Sequence, residues 1–331
     1  MTDFSVLDLV PVREDGTVAE ALAASADLAR AAERLGCKRF WVAEHHAMDG
    51  IAGGATSVVL AHIGNATSRI RIGSGGIMLP NHTPFQIAEQ FGTLDALFPG
   101  RVDLGLGRAP GAGPELQRAL RKNLHQAAEY FPQDVLELRA LLTGDVDLPI
   151  RATPGYGANI ELWMLGSSLF GASLAAKLGL PYAFAAHFAP DHLDAALTLY
   201  RRDFQPSEAL ARPHVMVAMN VFAADTSEEA ELIASSQAQS FVALRTGNPG
   251  KLPPPLAGYR ANLPPAAQAM LAHLGQAAAV GTPDEVRTAI EAFIARTGAD
   301  EIMLCGSTYD PAARIRSLEL TLAAMRAPVL A

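Results

Sequence analysis

Cysteine is nearly absent from the chain: only Cys37 and Cys305 occur, far apart in sequence. Two such thiols suit a reducing cytoplasm and exclude both a disulfide scaffold and a cysteine-based metal site. Basic blocks are missing as well. The formal net charge of −8 is spread along the chain, which argues against nucleic acid and against an anionic membrane surface as partners. No run of about 18 apolar residues exists to span a bilayer. Arg13, Glu14 and Asp15 interrupt any early hydrophobic run, so a secretory leader is not expected. These absences together predict a soluble, cytoplasmic protein, and no metal ligands are expected.

What is present is apolar and periodic. Half of the 331 residues are hydrophobic, enough for a large core without staples. Short apolar runs at 4–10, 38–43, 70–79, 102–107, 161–165, 182–186, 215–222 and 301–305 read as strands. Helical patterns fall between them, at 17–35, 55–67 and 84–98, in a stretch broken near Pro132 that runs to about 142, and at 169–178, 191–204, 226–244 and 311–325. Eight strands alternating with helices is the count of an α/β chain folded as a (β/α)8 TIM barrel. An open doubly wound sheet is the alternative, because patterns do not show closure. The length allows two domains, but such barrels run this long as one, and a single domain over 1–331 is expected.

Two segments, 145–160 and 246–280, break the rhythm as insertions after strands four and seven. The second carries Pro249, Pro253, Pro254, Pro255, Pro264 and Pro265, and is expected to run as an extended excursion over the active-site face. Gly281-Thr282-Pro283-Asp284-Glu285 reads as a helix start with Thr282 as N-cap, a structural feature only.

Chemistry in parallel α/β proteins gathers at the carboxyl ends of strands. Trp41-Val42-Ala43-Glu44-His45-His46 places an acid and two imidazoles at such an end, candidates for catalysis or for a structural hydrogen-bond network. Gly73-Ser74-Gly75-Gly76-Ile77-Met78 puts glycines where β-branched residues belong. That marks either a bulge serving barrel curvature or a flat ligand lying against backbone. Asn81-His82-Thr83-Pro84 adds polar groups at the same end. Gly105-Leu106-Gly107-Arg108-Ala109-Pro110-Gly111 lacks the spacing of a dinucleotide fingerprint, yet sets a guanidinium among glycines, suited to a phosphate. Ser167-Ser168 opens a helix whose first N–H groups suit the same anion, or simply caps it. His187 is a further strand-end imidazole. His62, His125, His192, His214 and His273 read as structural or solvated.

In its ordered set of motifs, at 41–46, 73–84, 100–108, 165–168, 281–286 and 316–320, the chain resembles the bacterial luciferase-like family of flavin-dependent oxidoreductases. The likeness is to its single-chain "luciferase family oxidoreductase" group and covers nearly the whole length. It implies a TIM-type barrel that binds FMN at the strand ends, as a homodimer. Arg108 with Ser167 and Ser168 would hold the FMN phosphate. Gly75, Gly76 and Met78 would lie at the isoalloxazine, with a cis Gly75–Gly76 peptide. His45 would be the acid/base group, oriented by Glu44 and His46.

The implied reaction is a monooxygenation. Reduced FMN and molecular oxygen give a flavin C4a-peroxide, which transfers oxygen to a small organic substrate. No separate NAD(P)H-binding domain is recognisable, so reduced flavin arrives from a partner NAD(P)H:flavin reductase or is formed in place by the nicotinamide. The family also offers two alternatives: an F420-dependent hydride transferase of the same fold, and a flavin-binding protein without turnover. The Pro-rich excursion hints at an apolar substrate, and light emission does not follow from the resemblance.

Overall fold

The computed structural model describes residues 2–109, 114–145 and 148–327. Pro110 and Gly111 of the glycine-rich turn, two residues of the first insertion and both ends of the expected 1–331 domain lie outside these.

The strands are β1 (Asp3–Asp8), β2 (Arg39–Val42), β3 (Arg71–Met78), β4 (Val102–Gly107), β5 (Glu161–Gly166), β6 (Tyr182–Phe184), β7 (Val215–Ala223), β8 (Ala278–Gly281) and β9 (Glu301–Cys305). β2, β7 and β9 are buried at every position, the pattern of parallel strands covered on both faces. The helices are α1 (Val18–Arg34), α2 (Thr56–Ala66), α3 (Pro84–Leu97), α4 (Pro114–Leu120), α5 (Leu124–Glu129), α6 (Phe131–Thr143), α7 (Leu169–Leu178), α8 (Leu193–Asp203), α9 (Ser227–Arg245), α10 (Pro265–Leu274), α11 (Pro283–Thr297) and α12 (Pro311–Arg326). The α11 start is the expected one: Thr282 accepts from Glu285 N while the Glu285 side chain returns to Thr282 N.

Pairing is parallel throughout and runs β1–β2–β3–β4–β5–β6–β7–β9 and back to β1. The eight expected strands are therefore the staves of a closed (β/α)8 barrel, and the open sheet is excluded. The ninth, β8, was not legible in the sequence. It pairs only with the last residues of β7, Asn220 to Ala223, while β9 takes Met216 to Asn220. Four residues reading Ala-Ala-Val-Gly are too short to show a period of two.

Two further differences concern proline. The break expected near Pro132 falls at Tyr130, because Pro132 occupies the first turn of α6, where a missing N–H costs nothing. Likewise, 246–280 is not extended throughout, since Pro265 starts α10.

Alternation along the staves separates two apolar sets. Val6, Phe40, Val42 and Ile72 face the helices, whereas Leu7, Trp41, Ala43, Trp163, Met216 and Met303 fill the lumen. Trp41 and Trp163 meet edge to face with ring centroids 5.3 Å apart. The β3 glycines serve this interior. A Cβ on Gly75 would lie 2.5 Å from Leu7 Cδ1, and the β3–β4 register slips between Ser74 and Ile77, so the bulge is present.

The amino end of the barrel is plugged by charge. Arg39 reaches Asp103 at 2.9 Å and both Glu161 and Glu301 at 3.2 Å, with its guanidinium 4.6 Å over the Trp163 ring. That leaves the carboxyl end as the open mouth.

Candidate active site

The end of β2 carries Glu44, His45 and His46 into the mouth. Glu44 is only 2% exposed. Its Oε1 accepts from His46 Nε2 at 2.5 Å and from His82 Nε2 at 2.8 Å, and its Oε2 accepts from Met78 N at 3.0 Å. Burial opposes the charge, but the bonds from His46, His82 and Met78 outweigh it and hold the carboxyl down at about 2. The bond to Glu44 in turn raises the His46 pKa above the ordinary histidine value.

His45 differs from its neighbours. Among the described residues neither Glu44 nor His46 hydrogen-bonds to it, so their influence on it is electrostatic. Burial lowers its pKa, with the Glu44 charge opposing, and its Nδ1 is buried without a partner. His187, just beyond β6 on the opposite side of the ring, is in the same condition. Its Nδ1 is buried and unpartnered, and burial pushes it down to about 4, with His45 adding to the effect. The His187 carbonyl is held by Asn220 Nδ2 at 2.8 Å, Asn220 Oδ1 by Gln237 Nε2 at 2.7 Å, and Gln237 Oε1 by Ser307 N at 2.7 Å.

A second group forms beyond β4 and β5. Arg108 donates through Nε to Ala128 O at 3.1 Å and lies 4.1 Å over the Phe170 ring. Phe170 is in the first turn of α7, directly after Ser167 and Ser168. Ser168 is the N-cap residue of α7, yet its side chain makes no capping hydrogen bond, which leaves the first N–H groups of the helix without that partner among the described residues. Arginine and serine turn are thus neighbours, as the order of strands in a barrel requires.

The β3 floor between these groups contains a cis Gly75–Gly76 peptide. Lys122, from the stretch after β4, donates to the carbonyls of Pro80 and His82 and so pins that stretch to the turn bearing His82. His82 and His187 were noted by sequence as strand-end groups but given no catalytic or cofactor role. Both follow a barrel strand directly, which is the signal they carried.

The fold and the mouth define a (β/α)8-barrel enzyme with a strand-end histidine site. The profile of the luciferase-like monooxygenase family matches residues 2–301, and the chain belongs to that family. It is 47% identical over 327 residues to a luciferase-like monooxygenase of Escherichia coli K12, covering 97% of this chain and 98% of that one. It is 36% identical to an N-acetyl-S-alkylcysteine monooxygenase of Bacillus subtilis over 255 residues, 75% of each chain.

Among solved structures, apo-MsnO8 superposes with TM-score 0.87 at 34% identity over 98% of both chains. Two more distant ones share the fold alone. The oxygenating constituent of 3,6-diketocamphane monooxygenase from Pseudomonas putida, in complex with FMN, gives TM-score 0.73 at 19% identity over the whole of both chains. An F420-dependent secondary alcohol dehydrogenase gives 0.67 at 17% over 98% of this chain and 99% of that one.

Proposed function

We propose that this chain is an FMN-dependent monooxygenase acting on a small organic substrate, with His45 as its proton-handling group. The observation that carries the reading is the buried, unpartnered Nδ1 of His45 at the barrel mouth, matched by that of His187 on the opposite stave. Buried polar atoms are ordinarily satisfied, so two such nitrogens on strand-end histidines fit a bound group that completes them.

FMN, when bound, supplies the electrons that activate oxygen. Everything else falls to the chain. Arg108 and the uncapped N-terminus of α7 hold the phosphate by charge and backbone N–H groups. The bulged end of β3, with Gly75, Gly76 and the Met78 backbone, offers a surface for the flat ring. His45, kept neutral by burial, takes or returns a proton at Nδ1. Glu44 stays ionised and fixes His46, His82 and Met78 around it.

The segment 246–280 acts as a cover that excludes water. Its support is the backbone pairing of Leu252 with Val12 at 2.8 Å and with Glu14 at 2.9 Å, which straps it across the loop after β1. The apolar, Pro-rich composition of this segment is in keeping with a largely apolar substrate. Reduced flavin is supplied by a partner NAD(P)H:flavin reductase. A homodimer rests on the family resemblance alone.

Titration with FMN, riboflavin and F420 tests the cofactor assignment. The reading expects FMN to bind well above riboflavin, which lacks the phosphate, and expects that preference to vanish in Arg108→Ala. Tighter binding of F420 than of FMN would make the chain a hydride transferase instead.

A further inference from the structure

Three side chains carried by the ends of two staves converge close to His45 in sequence and in the barrel mouth. One donor atom from each of Glu44, His46 and His82 lies within 4.8 Å of the other two, and Glu44 Oε1 is 2.5 and 2.8 Å from the two Nε2 atoms. The carboxylate comes from inside the protein, its side chain 1% exposed, while the two imidazoles stand on the solvent side at 19% and 24%. One carboxylate oxygen with two imidazole nitrogens is a donor set for borderline divalent ions, which take such a face and keep further positions for water. The outer arrangement is present too. Glu44 Oε2 is already held by Met78 N at 3.0 Å, the kind of bond that orients a ligating carboxylate. His82 was placed at this end of the barrel by sequence, but its contact with Glu44 depends on the pairing of β2 with β3.

We propose that Glu44, His46 and His82 form a binding site for one divalent transition-metal ion, of the zinc or cobalt type. An ion about 2.1 Å from each donor sets the donors roughly 3.0–3.5 Å apart. The present separations of 2.5 and 2.8 Å between Oε1 and the two nitrogens widen to that by small rotations of the part-exposed imidazoles, with Glu44 in place. Ligation through Nε2 needs that nitrogen free of its proton: a neutral ring moves the proton to Nδ1, and a protonated ring releases one to solvent. An occupied site stiffens the loop that carries His45, so metal slows turnover. That consequence rests on the proposed function; the binding does not.

The test is titration of the full chain, without added flavin, with Co2+ as an optical probe and Zn2+ as competitor. The expected result is one ion per chain, with cobalt ligand-field bands that zinc abolishes. His82→Ala and His46→Ala should each weaken binding by at least the 10–100-fold typical of a disturbed metal site. His62→Ala, at an exposed position on α2, should leave it unchanged. Melting curves establish that each variant is folded, and His82→Asn takes the place of either variant that is not. Absence of ligand-field bands overturns the proposal, as does binding that survives His82→Ala or His82→Asn. Neither result touches the flavin assignment, which is read by FMN titration of the same protein.

Discussion

Glu44 and His82 are joined at 2.8 Å across 38 residues of sequence, tying the end of β2 to the turn after β3. The same carboxylate oxygen holds His46, and its partner oxygen holds the Met78 N–H. One ionised, buried group therefore sets the spacing of three strand-end features around His45.

Acid stability should report that carboxylate. Its folded pKa of about 2 lies below the ordinary 4.5, so its contribution is complete above 4.5 and is lost as pH falls from there toward 2. The full shift corresponds to about 3 kcal/mol. His46 works in the opposite sense, because its raised pKa gives stability that is present below 6.5 and lost as pH rises through its folded value. Denaturant midpoints between pH 7 and 3 should fall in the wild type, and fall less in Glu44→Gln.

Replacing His45 by Ala should leave FMN affinity nearly intact while lowering kcat roughly 100-fold or more, the usual worth of a positioned acid/base group. Its neutral ring is the form that accepts a proton, and burial places its pKa below 6.5. The rate of the wild type should therefore fall on acidification through a value under 6.5, and His45→Ala should lack that limb. Unchanged turnover would make this histidine structural.

For Arg108→Ala the expected change is in binding. Loss of a charged hydrogen-bonding partner of a phosphate costs about 1.5–3 kcal/mol, or roughly tenfold to a hundredfold in Kd for FMN. Riboflavin affinity should not move. An unaltered Kd for FMN would shift the phosphate site elsewhere on the mouth.

Arg39 provides the contrast from the closed end of the barrel. It is 3% exposed and serves Asp103, Glu161 and Glu301 together, so Arg39→Ala strands buried carboxylates and should cost about 3–5 kcal/mol of stability. Chemical denaturation measures this directly. The folded fraction should bind FMN as the wild type does.

The barrel was legible because its strands, most of them buried on both faces, read as short and largely apolar runs. All eight staves were located from such runs, with ends within two residues. β8 escaped because four small residues carry no period. The charged plug escaped for a different reason: Arg39, Asp103 and Glu301 stand at or near the starts of three separate strands, and only closure of the sheet brings them together. The candidate site divides in the same way. Glu44, His45 and His46 announce themselves as a contiguous strand end, and Arg108 with Ser167 and Ser168 follows from strand order. His82 becomes the partner of Glu44 only once β2 and β3 are paired in register, and His187 comes under the influence of His45 only across a closed ring. Position just beyond a parallel strand was the one sequence signal these two histidines shared with the others.

The most direct test mixes the protein with photoreduced FMN in rapid-mixing apparatus, adds oxygen, and follows the return of oxidised-flavin absorbance. The account predicts a slow phase of reoxidation that free FMN lacks and that changes rate in His45→Ala. Reoxidation indistinguishable from that of free FMN, with FMN shown to be bound, would contradict it.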